Sequence, residues 1–221
     1  MQFHNVFIVS LMLLGGLVVN GLCQSREIGM AAYLSELEQE VVQELNLARK
    51  NPRKYAAYLE KMKVYYDGKL IKRPGRPIVQ TQEGRKAVDE AIHFLRSAKP
   101  LAPFRVSPGM SQAARDHVRN QGLQGAIGHK GSDGSEPSDR VNRYGKWIRT
   151  VGENIAYGSE DARDIVIGLI VDDGVSDRGH RKNIFNPSFQ VIGVACGAHK
   201  VYQTMCVITF AGGFSEKRLP R

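Results

Sequence analysis

The sequence predicts an α+β fold, helices first and strands last. Apolar residues recur at helical spacing as far as Asp172, and β-branched and aromatic residues crowd two late runs, Val191–Gly197 and Val201–Phe210. Runs of helix followed by runs of strand define the α+β class. A content of 42% hydrophobic and 24% charged residues is an ordinary globular balance, which excludes disorder, collagen and coiled coil. The 221 residues allow one large domain or two small ones.

The elements follow in chain order. Leu34, Leu37, Val41, Val42, Leu45 and Leu47 predict a helix that stops before Asn51-Pro52. Residues 53–63 continue as a short basic amphipathic helix with Tyr55, Tyr58, Leu59 and Met62, and Tyr65–Pro77 reads as a basic loop. Val88, Ala91, Ile92 and Leu95 mark a helix over 82–97, stopped by Lys99-Pro100. Ser107-Pro108 is a helix start, with Ser as cap and Pro at the first helical position, and that helix runs to about Gln121. The glycine-rich stretch 122–146 reads as one long loop, Ile148–Tyr157 as a short strand around Gly152, and Asp161–Asp172 as an acid-capped helix. Val191–Gly197 and Val201–Phe210 read as a hairpin, and Ser215–Arg221 as a disordered tail.

Val6–Val19 carries no charge, is too short for a spanning helix and fits the apolar core of a secretory leader. Cleavage after Gly21 or Cys23 is expected, which makes residues 1–23 a signal peptide, the product secreted, and the mature chain free of a transmembrane segment. Cleavage after Cys23 leaves Cys196 and Cys206, ten apart on the two hairpin strands, and they are expected to pair in an oxidising compartment. The net charge of +9 is concentrated in one place: Arg49–Arg76 holds ten basic residues against Glu60 and Asp67. The rest of the chain is close to neutral, so no nucleic-acid partner is expected. The basic stretch suits a lipid headgroup or another anionic surface.

The chain has no G-x-S-x-G, P-loop, G-x-G-x-x-G, H-E-x-x-H or C-x-x-C motif. Three polar spots remain, each a titratable residue beside glycine: Gly128-His129-Lys130-Gly131, Gly152-Glu153-Asn154-Ile155 and Gly179-His180-Arg181-Lys182-Asn183-Ile184. Two imidazoles with carboxylates nearby could hold a divalent cation, the acids serving as ligands or as supports behind the ligands.

In this order the three spots resemble the CAP superfamily, the SCP-like extracellular proteins that group cysteine-rich secretory proteins, insect venom antigens and plant pathogenesis-related proteins. The resemblance spans Leu34–Phe214, from Leu45-Asn46-Leu47-Ala48-Arg49 through the G-E-N-I and G-H-R-x-N-I signatures. It implies an α-β-α sandwich with an antiparallel sheet between helices. It also implies a cleft tetrad of His129, His180, Glu153 and a second acid. The family's W-x-x-E is absent; aligned without gaps, Leu169 takes the Trp position and Asp172 the Glu position, with Asp173 as the adjacent alternative. Residues 53–99 look like an addition to the family pattern. The resemblance implies a secreted binding domain with a divalent metal, zinc foremost, on His129 and His180, and with lipid, sterol or an anionic surface as partner. A metal-dependent extracellular hydrolase with Glu153 as general base is the alternative. A tetrad that only ties the loops together, with function on the surface, is the third.

Overall fold

A computed structural model describes residues 33–217. The leader, residues 1–23, and the last four residues lie outside the described residues.

Helix α1 (Glu36–Lys50) opens with a capping box: Ser35 accepts from the Glu38 N–H, and the Glu38 carboxylate accepts from the Ser35 N–H. Pro52 starts α2 (Pro52–Met62), and three two-residue strands follow, β1 (Tyr66–Asp67), β2 (Leu70–Ile71) and β3 (Val79–Gln80), in a small antiparallel flap. Next come α3 (Arg85–Ser97), β4 (Arg105–Val106) and α4 (Pro108–Gln124); Ser107 caps α4, and Gly125 ends it at φ 70°. Then α5 (Pro137–Tyr144) leads into β5 (Gly145–Tyr157), α6 (Ala162–Val171), α7 (Gly179–Ile184), β6 (Val191–His199) and β7 (Gln203–Glu216).

The main sheet has the order β4-β6-β7-β5. Its three long strands are antiparallel, while the edge strand β4 joins β6 in parallel through Arg105↔Val191 and Val106↔Ile192. Strand alternation sends the two sets of side chains to different helices. Ile192 and Val194 of β6 with Ile208 and Phe210 of β7 join the core made with α1, α2, α3 and α6. Ala195, Met205 and Val207 face Ala114 and Val118 of α4, and Val191 and Ala211 face Met110 and Ala113. The result is helix, sheet, helix. A Cβ on Gly193 would sit 2.0 Å from the Met110 carbonyl carbon, so glycine is what lets α4 lie directly on β6.

Two residues of the Leu45–Arg49 motif stitch remote loops. Asn46 exchanges hydrogen bonds with the Phe104 backbone. Buried Arg49 donates to the carbonyls of Ala102, Ile184, Asn186 and Phe189 and stacks on Phe104 at 3.8 Å, and burial lowers its pKa to about 10.

Cys196 and Cys206 stand opposite each other in the β6–β7 register and are joined as a disulfide.

Three sequence expectations need correction. Residues 122–146 are not one loop. The helix α4 extends to Gln124 and α5 is a second helix, short and polar enough to leave no apolar period to read. Strand β5 begins at Gly145 and not at Ile148. The tail is strand as far as Glu216, whose carboxylate accepts from Ser107 Oγ and the Gly109 N–H. Within residues 53–99, Tyr55, Ala56 and Leu59 of α2 and Val88, Ala91, Ile92 and Leu95 of α3 are buried in the main core.

Candidate functional site

The three polar spots converge on the edge strand β5 as two acid–imidazole pairs. In the first, Glu153 Oε1 lies 2.9 Å from His129 Nδ1. The acid is buried, and the imidazole side chain is 47% exposed. In the second, Asp172 Oδ1 lies 2.6 Å from His180 Nδ1, again with a buried acid and a part-exposed imidazole. A carboxylate accepts, so each Nδ1 donates to its acid and Nε2 is the ring nitrogen left for another partner. No hydrogen bond to either Nε2 forms among the described residues.

Local backbone aims the second pair. Asp172 is the residue after α6 and takes the left-handed conformation, φ 56° and ψ 44°, which Asp tolerates better than most side chains. Its Oδ2 accepts from the His180 N–H at 2.9 Å, so one carboxylate fixes both the ring and the backbone of His180. Asp173 turns away, accepting from the N–H groups of Gln82 and Glu83.

The two pairs are linked through neighbouring residues of β5. Glu153 reaches His129, while Asn154 donates to the His180 carbonyl at 2.9 Å and accepts from Asn183 Nδ2 at 2.8 Å. Consecutive strand side chains point to opposite faces, so β5 supports one pair from each side of the sheet edge. Each signature residue thus has a task. Ile155 and Ile184 enter the core, and Arg181 binds the carbonyls of Ile170 and Val171 and the Glu90 carboxylate.

Sequence reading missed the support behind His129. Arg140, on α5, is buried, and its Nη2 donates to both Glu153 oxygens, at 3.0 and 2.8 Å, and to the His129 carbonyl at 3.0 Å. His117 Nε2 donates to the Gly128 carbonyl at 3.0 Å and Gln121 Nε2 to the Lys130 carbonyl at 3.3 Å. Three consecutive carbonyls around His129 are therefore each held by a buried side chain. The four-residue spacing of His117 and Gln121 on α4 was the available signal; Arg140 had none, because nothing marked α5 as a helix. Burial lowers the His117 pKa, so the ring is neutral, with Nδ1 buried and unbonded among the described residues.

No group of three or more His, Cys, Asp or Glu side chains that could hold a metal ion occurs among the described residues.

A three-layer α-β-α sandwich carrying two carboxylate-oriented histidines at one sheet edge defines the class. The family model described as CAP, cysteine-rich secretory protein family, matches residues 90–210, more than half of the chain, and the chain belongs to that family. YkwD of Bacillus subtilis (strain 168), described as uncharacterized, is 30% identical over 109 residues, 49% of this chain and 40% of that relative. The chain thus matches well under two thirds of the relative's length. Among solved structures, an outer surface protein from Borrelia burgdorferi is 17% identical with a TM-score of 0.43, over 53% of this chain and 80% of its own. An extracellular protein containing a SCP domain from Bacillus anthracis str. Ames is 24% identical with a TM-score of 0.41, over 57% of this chain and 39% of its own. Among the described residues no helix is long and apolar enough to cross a membrane.

Proposed function

We propose that the chain is a secreted CAP-domain binding protein whose paired imidazoles, His129 and His180, take a divalent cation, zinc foremost, with a lipid or anionic surface as its partner. One observation carries the cation reading. Each histidine gives its Nδ1–H to a buried carboxylate and keeps Nε2 toward the outside, the outer-shell arrangement that fixes ring and tautomer before a metal arrives.

The geometry favours binding over hydrolysis. A general base must have a lone pair free to accept a proton from water. The Glu153 oxygens face the Arg140 guanidinium and the His129 ring, away from solvent, and the carboxylate serves to orient His129. Bound zinc would supply Lewis acidity; this chain supplies two oriented imidazoles.

The basic stretch is a weaker candidate for the anionic surface than its charge suggested. Arg73 and Arg76 are paired with Asp164, and Arg76 also with Asp161, at the start of α6. Lys72 pairs with Asp67, and Lys63 with Asp89.

Equilibrium dialysis of the protein recovered from culture medium tests the cation reading. One zinc per chain is expected, without turnover on peptide or ester panels. No bound zinc would overturn the cation reading; zinc-dependent turnover abolished by Glu153→Gln would restore the hydrolase. Mass spectrometry of the same material tests secretion, with a mature N-terminus after Gly21 or Cys23 expected.

A further inference from the structure

We propose that the chain docks on an anionic lipid surface through the end of the molecule beside His129, where Leu123, Ile127, Val201 and Tyr202 project. This rests on the lipid or anionic-surface reading above and moves the contact away from the basic stretch. Eight large apolar side chains stand out into solvent among the described residues; Val64, Ile78 and Val79 lie in or beside the basic stretch and Ile148 on β5, and these four, 82%, 63%, 64% and 45% exposed, gather at one end. They belong to two segments held together, the end of α4 with its following loop and the β6–β7 turn. The Lys200 N–H donates to the Gly122 carbonyl at 2.9 Å, and His199 Nε2 donates to the Ala126 carbonyl at 2.8 Å. A Cβ on Gly125 would meet Val201 Cγ2 at 2.9 Å, so the α4 terminus lies against the turn. Tyr202 stacks beside Tyr157 and His199. The two segments beneath the four side chains are therefore tied to each other, and the side chains protrude from them.

Charge and shape select the partner. Residues 121–131 and 197–203 contain no Asp or Glu; they contribute Lys130 and Lys200, both exposed. The acids tied to this end are otherwise engaged: Glu153 is buried against His129 and Arg140, Asp133 pairs with Arg143, and Glu160 accepts from Thr204 Oγ1. Apolar tips flanked by lysines suit the boundary between headgroups and acyl chains, where the side chains enter and the ammonium groups meet phosphate. A folded protein partner is less well served. A specific interface draws on roughly 20–30 residues a side, and four projecting side chains do not approach that. Docking here would bring the exposed face of His129, two residues beyond Ile127, to the lipid boundary.

The test is flotation with vesicles of phosphatidylcholine alone and with about one third phosphatidylglycerol. Parent and variants share one N-terminus, so differences between them report on the patch. The parent is expected to float with the anionic vesicles and not with the neutral ones. Leu123→Ser/Ile127→Ser/Val201→Ser should lower partitioning by about tenfold or more. Lys130→Gln/Lys200→Gln should lower it by about fivefold for each lysine at low salt. Lys69→Gln/Lys72→Gln, on the basic stretch, should leave it unchanged. Should the triple variant lose its fold by circular dichroism, the lysine pair and Ile127→Ser alone carry the test. Triple and lysine variants that float like the parent would overturn the assignment. Loss confined to Lys69→Gln/Lys72→Gln would return the contact to the basic stretch and leave the anionic-surface reading standing. A parent that floats with neither vesicle overturns the docking face and the lipid reading together. A parent that dimerises through the patch would contradict docking and favour a second copy.

Discussion

Arg140 holds both oxygens of the Glu153 carboxylate with a single guanidinium nitrogen, at 3.0 and 2.8 Å, in a place where both side chains are all but closed to solvent. The same nitrogen reaches the His129 carbonyl. One buried cation therefore fixes the acid that orients the His129 ring and the backbone that carries it.

Removing one partner of a buried ion pair leaves the other charge uncompensated. Arg140→Met is expected to destabilise the fold by about 3–5 kcal/mol, whereas Arg140→Met/Glu153→Leu should cost much less, because no charge is left buried. Urea unfolding of the two variants checks this; equal losses would mean that the pair is not isolated from water.

His117 gives the fold a dependence on pH. Burial holds its folded pKa below the ordinary imidazole value of about 6.5. As pH falls below that value the unfolded chain takes up the proton first, so stability declines from about pH 6.5 downward until the folded pKa is reached. Above that window His117 contributes no pH dependence. His117→Gln should flatten this part of the stability curve, and thermal melts across pH 5 to 8 measure it.

Within residues 53–99, Leu95 lies in the core and Arg73 at the surface. Leu95→Ala is expected to cost about 2–5 kcal/mol. Breaking the Arg73–Asp164 contact with Arg73→Gln should cost less than about 1 kcal/mol. If both are mild in urea unfolding, the segment is separable from the core after all.

Asp172 and Asp173 are neighbours with different tasks, one orienting His180 and the other holding the backbone of Gln82 and Glu83. Asp172→Asn should weaken zinc binding by about 10–100-fold, the usual loss when the partner behind a ligating imidazole is changed. Asp173→Asn should leave it as in the parent. Calorimetric zinc titrations of both variants decide between them.

Much of this was legible in the sequence, and the rest was hidden for physical reasons. Helices with an apolar stripe, such as α1 and α3, announce themselves, as do caps such as Ser107-Pro108. Glu153 and His180 stood out because each belongs to a compact signature. Which of Asp172 and Asp173 faces His180 did not, since that depends on a left-handed turn at the end of α6. Arg140 was invisible for a related reason. A lone Arg in a polar stretch reads as solvated, and only the fold carries α5 against β5, where its charge meets Glu153. Residues 53–99 carry their charge mostly outside, while Tyr55, Leu59 and Leu95 face the core.

The central claim is that His129 and His180 together hold one divalent cation. Calorimetric titration with Zn²⁺ at neutral pH, on the parent and on His129→Ala and His180→Ala, tests it most directly. One zinc per parent chain, with affinity lost in each variant, is the predicted result. Variants that both bind zinc as the parent does would contradict it.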